Sequence, residues 1–352
     1  MVVANRYCAT VDCTFCIDHS LDNGEFILSN AAMIIGGAGF IGSHLARDLL
    51  GAGGPGEIVI YDNFSSGREW HLEDMAGDVR LKIVKADVQD SERLTDAMKG
   101  AGIVYHLASN PDIARAVTEP DIDFWQGTYL TNNVVEAARV NGVGRLMYAS
   151  GSGIYGDTGQ LEVQEDHAPL VPISTYGASK LAGEALICSY CHMFDFDASA
   201  FRFANVVGPR QTHGVAYDFI RKLSKDPARL EILGDGTQSK SYIYVSDIVR
   251  ALRLTADVGP VGFTYYNVST ADNITVREIA DMVVTAMGLE GVSYEFTGGD
   301  RGWKGDVPVV RLDSRKIRAL GWSNQYTTEE AIRMSIDSML ADFKAGKIPL
   351  EG

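Results

Sequence analysis

The sequence contains little of what marks membrane, exported or nucleic-acid-binding proteins. It has no run of roughly 18 or more apolar residues and no apolar signal core with a cleavage site. Lys and Arg number 31 against 46 Asp and Glu, so the formal net charge is −15 and the pI is near 4.9. Such a chain offers no basic field to nucleic acid or to an anionic membrane. We expect a cytoplasmic enzyme.

Cysteine is scarce and odd in number. The five cysteines are Cys8, Cys13, Cys16, Cys188 and Cys191. Without an export signal, reduced thiols are expected rather than disulfides. The first three have a loose zinc-like spacing with His19, but they lack paired ligands with a folded turn between them. We expect no metal site.

A regular alternation of strand-like and helical patterns begins at Ala31, after an N-terminal extension (1–31) without a motif. Apolar runs of strand length are Ala32–Ile35, Glu57–Tyr61, Leu81–Lys85, Ile103–Leu107, Arg145–Ala149 and Asp197–Phe203. Between them, the i, i+3, i+4 spacing predicts helices at Leu45–Leu50, Ser91–Met98, Asn132–Val140 and Tyr176–Met193. This alternation predicts an α/β fold, a Rossmann-type doubly wound parallel sheet, over 32–208.

A second, smaller mixed α/β lobe is predicted for 209–352, where the alternation weakens. Helical patterns there are Tyr217–Leu223, Val245–Thr255, Val276–Met287 and Thr328–Phe343. Two apolar segments, Tyr242–Asp247 and Tyr265–Val268, are expected to extend the main sheet, so the two lobes interleave near 242–268.

A dinucleotide fingerprint follows the first strand. Gly36, Gly39 and Gly42 form G-x-x-G-x-x-G at the start of a helix, where glycine permits a tight turn, close approach of a pyrophosphate and close helix–strand packing. Asp62 ends the next strand, where an acid binds the adenine ribose and repels a 2′-phosphate. Only one basic residue, Arg68, follows closely, so NAD is expected rather than NADP. Asp87 is placed either to accept from an adenine amino group or to cap a helix.

Tyr176 and Lys180 are the expected catalytic pair. Their i, i+4 spacing puts both on one helix face. A phenol with a pKa near 10 is a poor base at neutral pH, but a nearby ammonium favours the phenolate. Lys180 is therefore expected to lower the pKa of Tyr176 and to bind the nicotinamide ribose.

With these motifs, the chain resembles the extended short-chain dehydrogenase/reductase family, most closely its UDP-sugar 4-epimerases, from Met33 to Phe343. The resemblance implies bound NAD and a UDP-sugar whose C4 is oxidised and re-reduced on the opposite face. The cofactor set it implies is Gly36, Gly39, Phe40, Ile41, Gly42, Asp62, Asn63, Ser65, Ser66, Gly67, Asp87, Val88, Leu107, Ala108, Ser109, Tyr176, Lys180 and Phe203. The substrate set is Ser150, Ser152, Tyr176, Asn205, Arg210, Lys240, Arg301 and Asp306. A homodimer through helices 122–140 and 176–193, forming a four-helix bundle, is expected by analogy.

The chain departs from the family pattern at three positions. Gly151 stands where relatives carry the Ser or Thr that relays the proton, so we expect Ser152 to replace it. Gly127 stands where relatives usually have Asn, with Gln126 as a substitute contact. Ile35 replaces the usual Thr before the first glycine.

Several alternatives remain open. A 4,6-dehydratase is disfavoured, because Ser152-Gly153 supplies no acid pair after the relay position. A UDP-glucuronate decarboxylase would use most of the same residues. Within the epimerases, Arg210 could pair with the carboxylate of a hexuronate or lie in a loop near a neutral hexose. A dinucleotide-sensing module without turnover would have no need of Tyr176 and Lys180.

Overall fold

The computed structural model describes residues 31–51, 53–259 and 261–348. The predicted extension, with Cys8, Cys13, Cys16 and His19, lies outside these residues except for Ala31. Strands are numbered in chain order: β1 Ala31–Ile35, β2 Glu57–Asp62, β3 Leu81–Lys85, β4 Ile103–His106, β5 Arg145–Gly151, β6 Asp197–Phe203, β7 Asn205–Val207, β8 Arg229–Ile232, β9 Ser239–Lys240, β10 Tyr242–Tyr244, β11 Phe263–Val268, β12 Ile274–Thr275, β13 Ser293–Phe296 and β14 Val309–Val310. The α-helices are α1 Phe40–Leu49, α2 Ser91–Ala97, α3 Leu130–Val140, α4 Thr175–Phe194, α5 Val215–Lys225, α6 Val245–Val258, α7 Val276–Ala286, α8 Arg315–Arg318 and α9 Thr328–Lys344.

Seven parallel strands form the main sheet in the order β11-β6-β5-β4-β1-β2-β3. This contains the Rossmann order, in which ligands bind beyond the carboxyl ends of the strands where the order reverses, here between β1 and β4. The predicted fold class is confirmed. Each predicted strand of this sheet is present within two residues at either end.

Helices cover both faces of the main sheet. Alternate residues of β1 enter two separate cores, with Ala32 and Ile34 on one face and Met33 and Ile35 on the other. The first core includes apolar residues of α1 and α6, and the second includes those of α2, α3 and α4. Burial on both faces explains why these strands are continuous apolar runs.

A third core lies among α5, α7 and α9 and the short strands near them. β11 confirms that 265–268 joins the main sheet. The expectation for Tyr242–Asp247 is wrong: β10 pairs with β7 in a separate two-stranded sheet, and α6 begins at Val245. Asp247, in the first turn of α6 where an acidic residue suits the helix N-terminus, is buried and accepts the backbone N–H of Gln325, which ties this helix to the second lobe. The division of the chain at 208 stays a prediction.

A π-helix, Phe124–Tyr129, precedes α3 and was not predicted. Its Gly127 lies against α4, where an added Cβ would be 2.6 Å from Ser179 Oγ. Among the described helices, none is long and apolar enough to cross a membrane. The described residues also contain no cluster of three or more His, Cys, Asp or Glu able to hold a metal ion.

Candidate active site

The glycine-rich loop packs its backbone against the end of β4. Gly36 has φ +81°, and a Cβ there would lie 2.7 Å from the backbone nitrogen of Ala108. A Cβ at Gly42 would lie 2.3 Å from the carbonyl oxygen of Gly36. Helix α1 begins after Gly39 without a side-chain cap, so its first N–H groups are available to an anion. This loop fits the diphosphate of a dinucleotide.

Asp62 lies at the end of β2, buried beside the same loop. One carboxylate oxygen accepts the N–H of Ala38 at 2.9 Å and the other accepts the N–H of Phe64 at 2.7 Å. Burial raises the pKa of Asp62. A Cβ at Gly67 would come within 2.9 Å of this carboxylate, so the following turn closes tightly over it. A carboxylate so enclosed leaves no place for a 2′-phosphate, which fits NAD rather than NADP.

Asp87 forms a turn. Its carboxylate accepts from the side-chain amide of Asn63 at 2.8 Å and from the N–H of Gln89 at 2.9 Å. The alternative that Asp87 caps a helix is wrong, because Asp90 caps α2 by accepting from Arg93 N. An adenine contact for Asp87 stays a prediction.

The remaining residues of the predicted cofactor set lie around the carboxyl edge of the sheet. Phe40 and Ile41 open α1, Ser65 and Ser66 lie in the turn after β2, Val88 follows β3, Leu107 to Ser109 follow β4, and Phe203 ends β6. Their contacts with NAD stay predictions.

Tyr176 and Lys180 emerge from the first two turns of α4. Ser174 caps this helix by accepting the N–H of Gly177 at 3.0 Å. The Lys180 side chain is buried, donates to the carbonyl oxygen of Ala149 at 2.7 Å, and places Nζ 5.5 Å from the centre of the Tyr176 ring. The two side chains are therefore adjacent, as the helical spacing predicts.

Burial dominates the electrostatics of this pair. It raises the pKa of Tyr176 to about 12, against a smaller opposite effect of a side-chain hydrogen bond with Ser109, and lowers the pKa of Lys180 to about 8. The expectation that Lys180 lowers the pKa of Tyr176 is not met in the chain by itself, because desolvation by burial is the largest influence on the pKa of each group.

Ser150 does not reach the candidate site, which corrects its predicted substrate contact. It is buried, and its hydroxyl donates to a carboxylate oxygen of Glu184 at 2.6 Å. Glu184 also pairs with Arg202 at 2.8 Å in the interior. Strand β5 ends at Gly151, and Ser152 begins a 3-10 turn, half-buried, so strand alternation no longer governs where Ser152 points. The role of Ser152 stays a prediction.

A second group of predicted residues meets near the start of α4, where a Cβ at Gly305 would lie 3.2 Å from the Ser174 Cβ. Lys240 pairs with Asp306 at 2.5 Å, and Arg301 donates to the Asp306 carbonyl oxygen at 2.8 Å. Arg301 also pairs with Asp157, which follows the 3-10 turn after β5. Asn205 is exposed on β7, next to the strand that follows Lys240. We call Lys240, Arg301, Asp306 and Asp157 the charged cluster.

Arg210 does not join the charged cluster. Its guanidinium donates to the carbonyl oxygen of His71 and pairs with Asp74 at 3.2 Å, in the turns after β2. Both contacts use the groups that would otherwise meet a substrate carboxylate. These contacts remove the support for the prediction that Arg210 pairs with the carboxylate of a hexuronate.

Sequence reasoning missed three features of the site. The Ser109 side chain interacts with Tyr176, although the resemblance places Ser109 only among the cofactor contacts. Buried Asp123 accepts from both Asn110 and Thr175. Asp157 partners Arg301. None of these has a motif, since each depends on loops that meet only in the fold.

Comparisons with known proteins identify the family. Residues 32–268 match the model of the NAD dependent epimerase/dehydratase family, and the chain belongs to this family. The UDP-glucose 4-epimerase of Mycolicibacterium smegmatis is 33% identical over 314 residues, 87% of this chain and 97% of its own. The expectations of an NAD-dependent enzyme of the epimerase class and of its cofactor are confirmed at this level.

Two solved structures have the same architecture. A UDP-galactose 4-epimerase is 35% identical with a TM-score of 0.79, over 89% of this chain and 99% of that one. The dTDP-glucose 4,6-dehydratase of Streptomyces venezuelae, with NAD and DAU bound, is 26% identical with a TM-score of 0.83, over 91% and 99%. Overall shape thus does not separate epimerase from dehydratase, and the distinction depends on residues.

Proposed function

We propose that this protein is a UDP-sugar 4-epimerase that inverts C4 of a UDP-hexose or UDP-hexuronate through a 4-keto intermediate. The observation that carries the proposal is the joint presence of the Tyr176–Lys180 pair and the charged cluster, whose loop packs against the start of α4: a Cβ at Gly305 would lie 3.2 Å from the Ser174 Cβ. A phenol and an ammonium serve proton transfer at a sugar hydroxyl, while the charged cluster offers Lys and Arg to a diphosphate and a carboxylate to a ribose.

The glycine-rich loop and Asp62 would hold NAD, with the diphosphate at the start of α1 and the adenine ribose at Asp62. Bound NAD supplies a hydride acceptor for the sugar C4 and returns the same hydride later. Lys180, already fixed by the Ala149 carbonyl, keeps two further N–H donors for a nicotinamide ribose. The site geometry and the family support these assignments.

Tyr176 acts as base and acid in turn. Its phenolate takes the proton of the 4-hydroxyl as C4 becomes a ketone, and the resulting phenol returns a proton to the 4-oxygen when the carbonyl is reduced. Inversion requires the keto sugar to turn over between these steps. Anchoring by the nucleotide at the charged cluster, with few fixed contacts to the hexose, suits that movement.

The dehydratase alternative lacks its acid. Elimination of water across C5 and C6 needs an acid and a base beyond the oxidised C4, and the turn after β5 reads Gly151-Ser152-Gly153 without a carboxylate. A decarboxylase shares the first oxidation step and is distinguished by its product. A dinucleotide-sensing module would bind NAD without converting any sugar.

The test is incubation of the purified protein with UDP-glucose, UDP-galactose, UDP-glucuronate or UDP-galacturonate, without added cofactor, followed by chromatography. Interconversion within a pair is expected, and it identifies hexose or hexuronate. Tyr176→Phe should lose nearly all turnover. The control is Tyr190→Phe on the same helix, whose hydroxyl donates to Glu136 and which should retain turnover. No interconversion of any sugar contradicts the proposal, and carbon dioxide release would select the decarboxylase.

We further propose a homodimer through the helices that contain 124–140 and 175–194. Their outer surface exposes large apolar side chains at Phe124, Trp125, Val140, Met193 and Phe194. Apolar residues grouped in this way are typical of a protein interface. Sedimentation should give a mass twice that of the chain, and Trp125→Asp should reduce it to a monomer; a monomeric wild type contradicts this.

A further inference from the structure

Ser109 is the first residue to leave the main sheet after β4. The N–H groups of Leu107 and Ala108 both donate to the carbonyl oxygen of Ile35, at 2.9 and 3.0 Å, so the chain stays pinned to β1 up to Ala108. The Ser109 side chain then interacts with the Tyr176 phenol, which lowers the pKa of that phenol against the larger effect of burial. This loop and the start of α4 therefore meet at the reacting oxygen of the proposed base.

A buried carboxylate holds the two segments together. Asp123 is 1% exposed, and one of its oxygens accepts from the side-chain amide of Asn110 at 2.9 Å. Its other oxygen accepts from the Thr175 hydroxyl at 2.6 Å. Asn110 and Thr175 directly neighbour Ser109 and Tyr176 in sequence. The bridge therefore fixes the position of Ser109 relative to Tyr176 independently of their own contact.

Position 151, which in the related enzymes carries a hydroxyl for this tyrosine, is a glycine here. Gly151 has φ −166°, which any residue adopts, and a Cβ there would meet no atom within 4 Å. Packing thus does not require glycine at 151. Ser150 is committed to Glu184, so neither of these two residues places a hydroxyl on Tyr176. The Ser109 hydroxyl interacts with Tyr176 and is the alternative source of this hydrogen bond.

We propose that Ser109 is the positioning residue for Tyr176, donating a hydrogen bond to its phenolate in place of the family's relay hydroxyl, and that the Asn110–Asp123–Thr175 bridge holds it there. The inference rests on the proposed function of Tyr176 as the base. Ser109 gains and loses no proton overall: its O–H donates when the tyrosine is anionic and rotates away when the tyrosine is protonated.

The test compares Ser109→Ala, Ser109→Thr and Ser152→Ala in the NAD-loaded protein. Loss of one hydrogen bond to a charged oxygen should raise the apparent pKa of the base by about one unit, and kcat below that pKa should fall about tenfold. The KM for the UDP-sugar should not change. Ser109→Thr, which keeps a hydroxyl, should restore the profile, whereas a pKa shift in Ser152→Ala instead of Ser109→Ala would assign the hydroxyl to Ser152 and overturn the proposal.

A second readout separates this inference from the proposed reaction. Ultraviolet tyrosinate absorbance, taken as the difference from Tyr176→Phe, follows the titration of Tyr176 without any turnover. If it shifts upward in Ser109→Ala while no UDP-sugar is converted, the proposed function fails and the role of Ser109 stands. An unshifted titration in Ser109→Ala, or a shift in Ser152→Ala alone, overturns the role of Ser109.

Discussion

Replacing Glu184 by Gln should destabilise the protein strongly, although this residue touches neither proposed ligand. The Glu184 and Arg202 side chains are 5% and 3% exposed, and Arg202 donates to both carboxylate oxygens at 3.0 and 2.8 Å. Removing one partner of a buried ion pair typically costs about 3–5 kcal/mol, because it leaves the other charge unpaired. Arg202 keeps neutral acceptors in the Tyr155 hydroxyl and the Glu165 carbonyl. We therefore expect Glu184→Gln to lower the free energy of unfolding by about 3 kcal/mol, the lower end of this range.

Urea unfolding followed by circular dichroism, at one fixed protein concentration, measures this loss as a lower midpoint with an unchanged m value. A loss below about 1 kcal/mol would refute the reasoning. The control is Ser150→Ala, which leaves both Arg202 bonds to Glu184 intact and should cost only about 1 kcal/mol. Its KM for the UDP-sugar should match that of the wild type, whereas a substrate role for Ser150 would raise it.

Two further predictions concern the glycine-rich loop. Gly42→Ala forces a Cβ against the Gly36 carbonyl and should weaken NAD binding about tenfold or more, as measured by NADH fluorescence titration. The control is Gly77→Ala, whose Cβ meets no atom within 4 Å and which should bind NADH normally. Equal affinities of the two variants would contradict this prediction. Burial lowers the pKa of His71 to about 4, and its Nδ1 lies 2.8 Å from the Ala38 carbonyl oxygen. Below about pH 6.5 the imidazole takes up a proton in the unfolded chain but not yet in the folded one. The free energy of unfolding should therefore be highest above that pH and should fall by up to about 2 kcal/mol at pH 5. His71→Gln should reduce that slope in urea unfolding at the two pH values, and an unchanged slope would refute the assignment.

The main sheet could be predicted from the sequence because most of its strands are buried on both faces. Apolar runs such as those of β1 and β2 end where the chain must turn, and the glycine loop marks the point where β1 passes into α1. The Tyr176–Lys180 pair is likewise local, since helix geometry alone makes positions i and i+4 neighbours. Its adjacency needed no tertiary information.

Errors arose where a tertiary contact decides the outcome. Strand alternation could not show that Ser150 has a carboxylate partner 34 positions away in Glu184, nor that Arg210 would be held by Asp74. The pKa of Tyr176 was misjudged for the same reason: the spacing shows that Lys180 is a neighbour, but the burial that raises the tyrosine pKa appears only when α4 packs on the sheet.

The pKa directions of the proposed catalytic pair indicate what the rest of the site must supply. Burial raises the pKa of Tyr176 to about 12 and lowers the pKa of Lys180 to about 8, so desolvation favours the neutral form of each group. The contact with Ser109 opposes this effect on Tyr176, and the Lys180 ammonium, 5.5 Å from the centre of the tyrosine ring, is the positive charge that the described residues place beside it; a further nearby positive charge would stabilise the phenolate more. Oxidised NAD brings such a charge and reduced NAD lacks it. The base would then be anionic when the sugar must lose a proton and protonated when the ketone must gain one, because the same burial that raises the tyrosine pKa makes it sensitive to a single nearby charge.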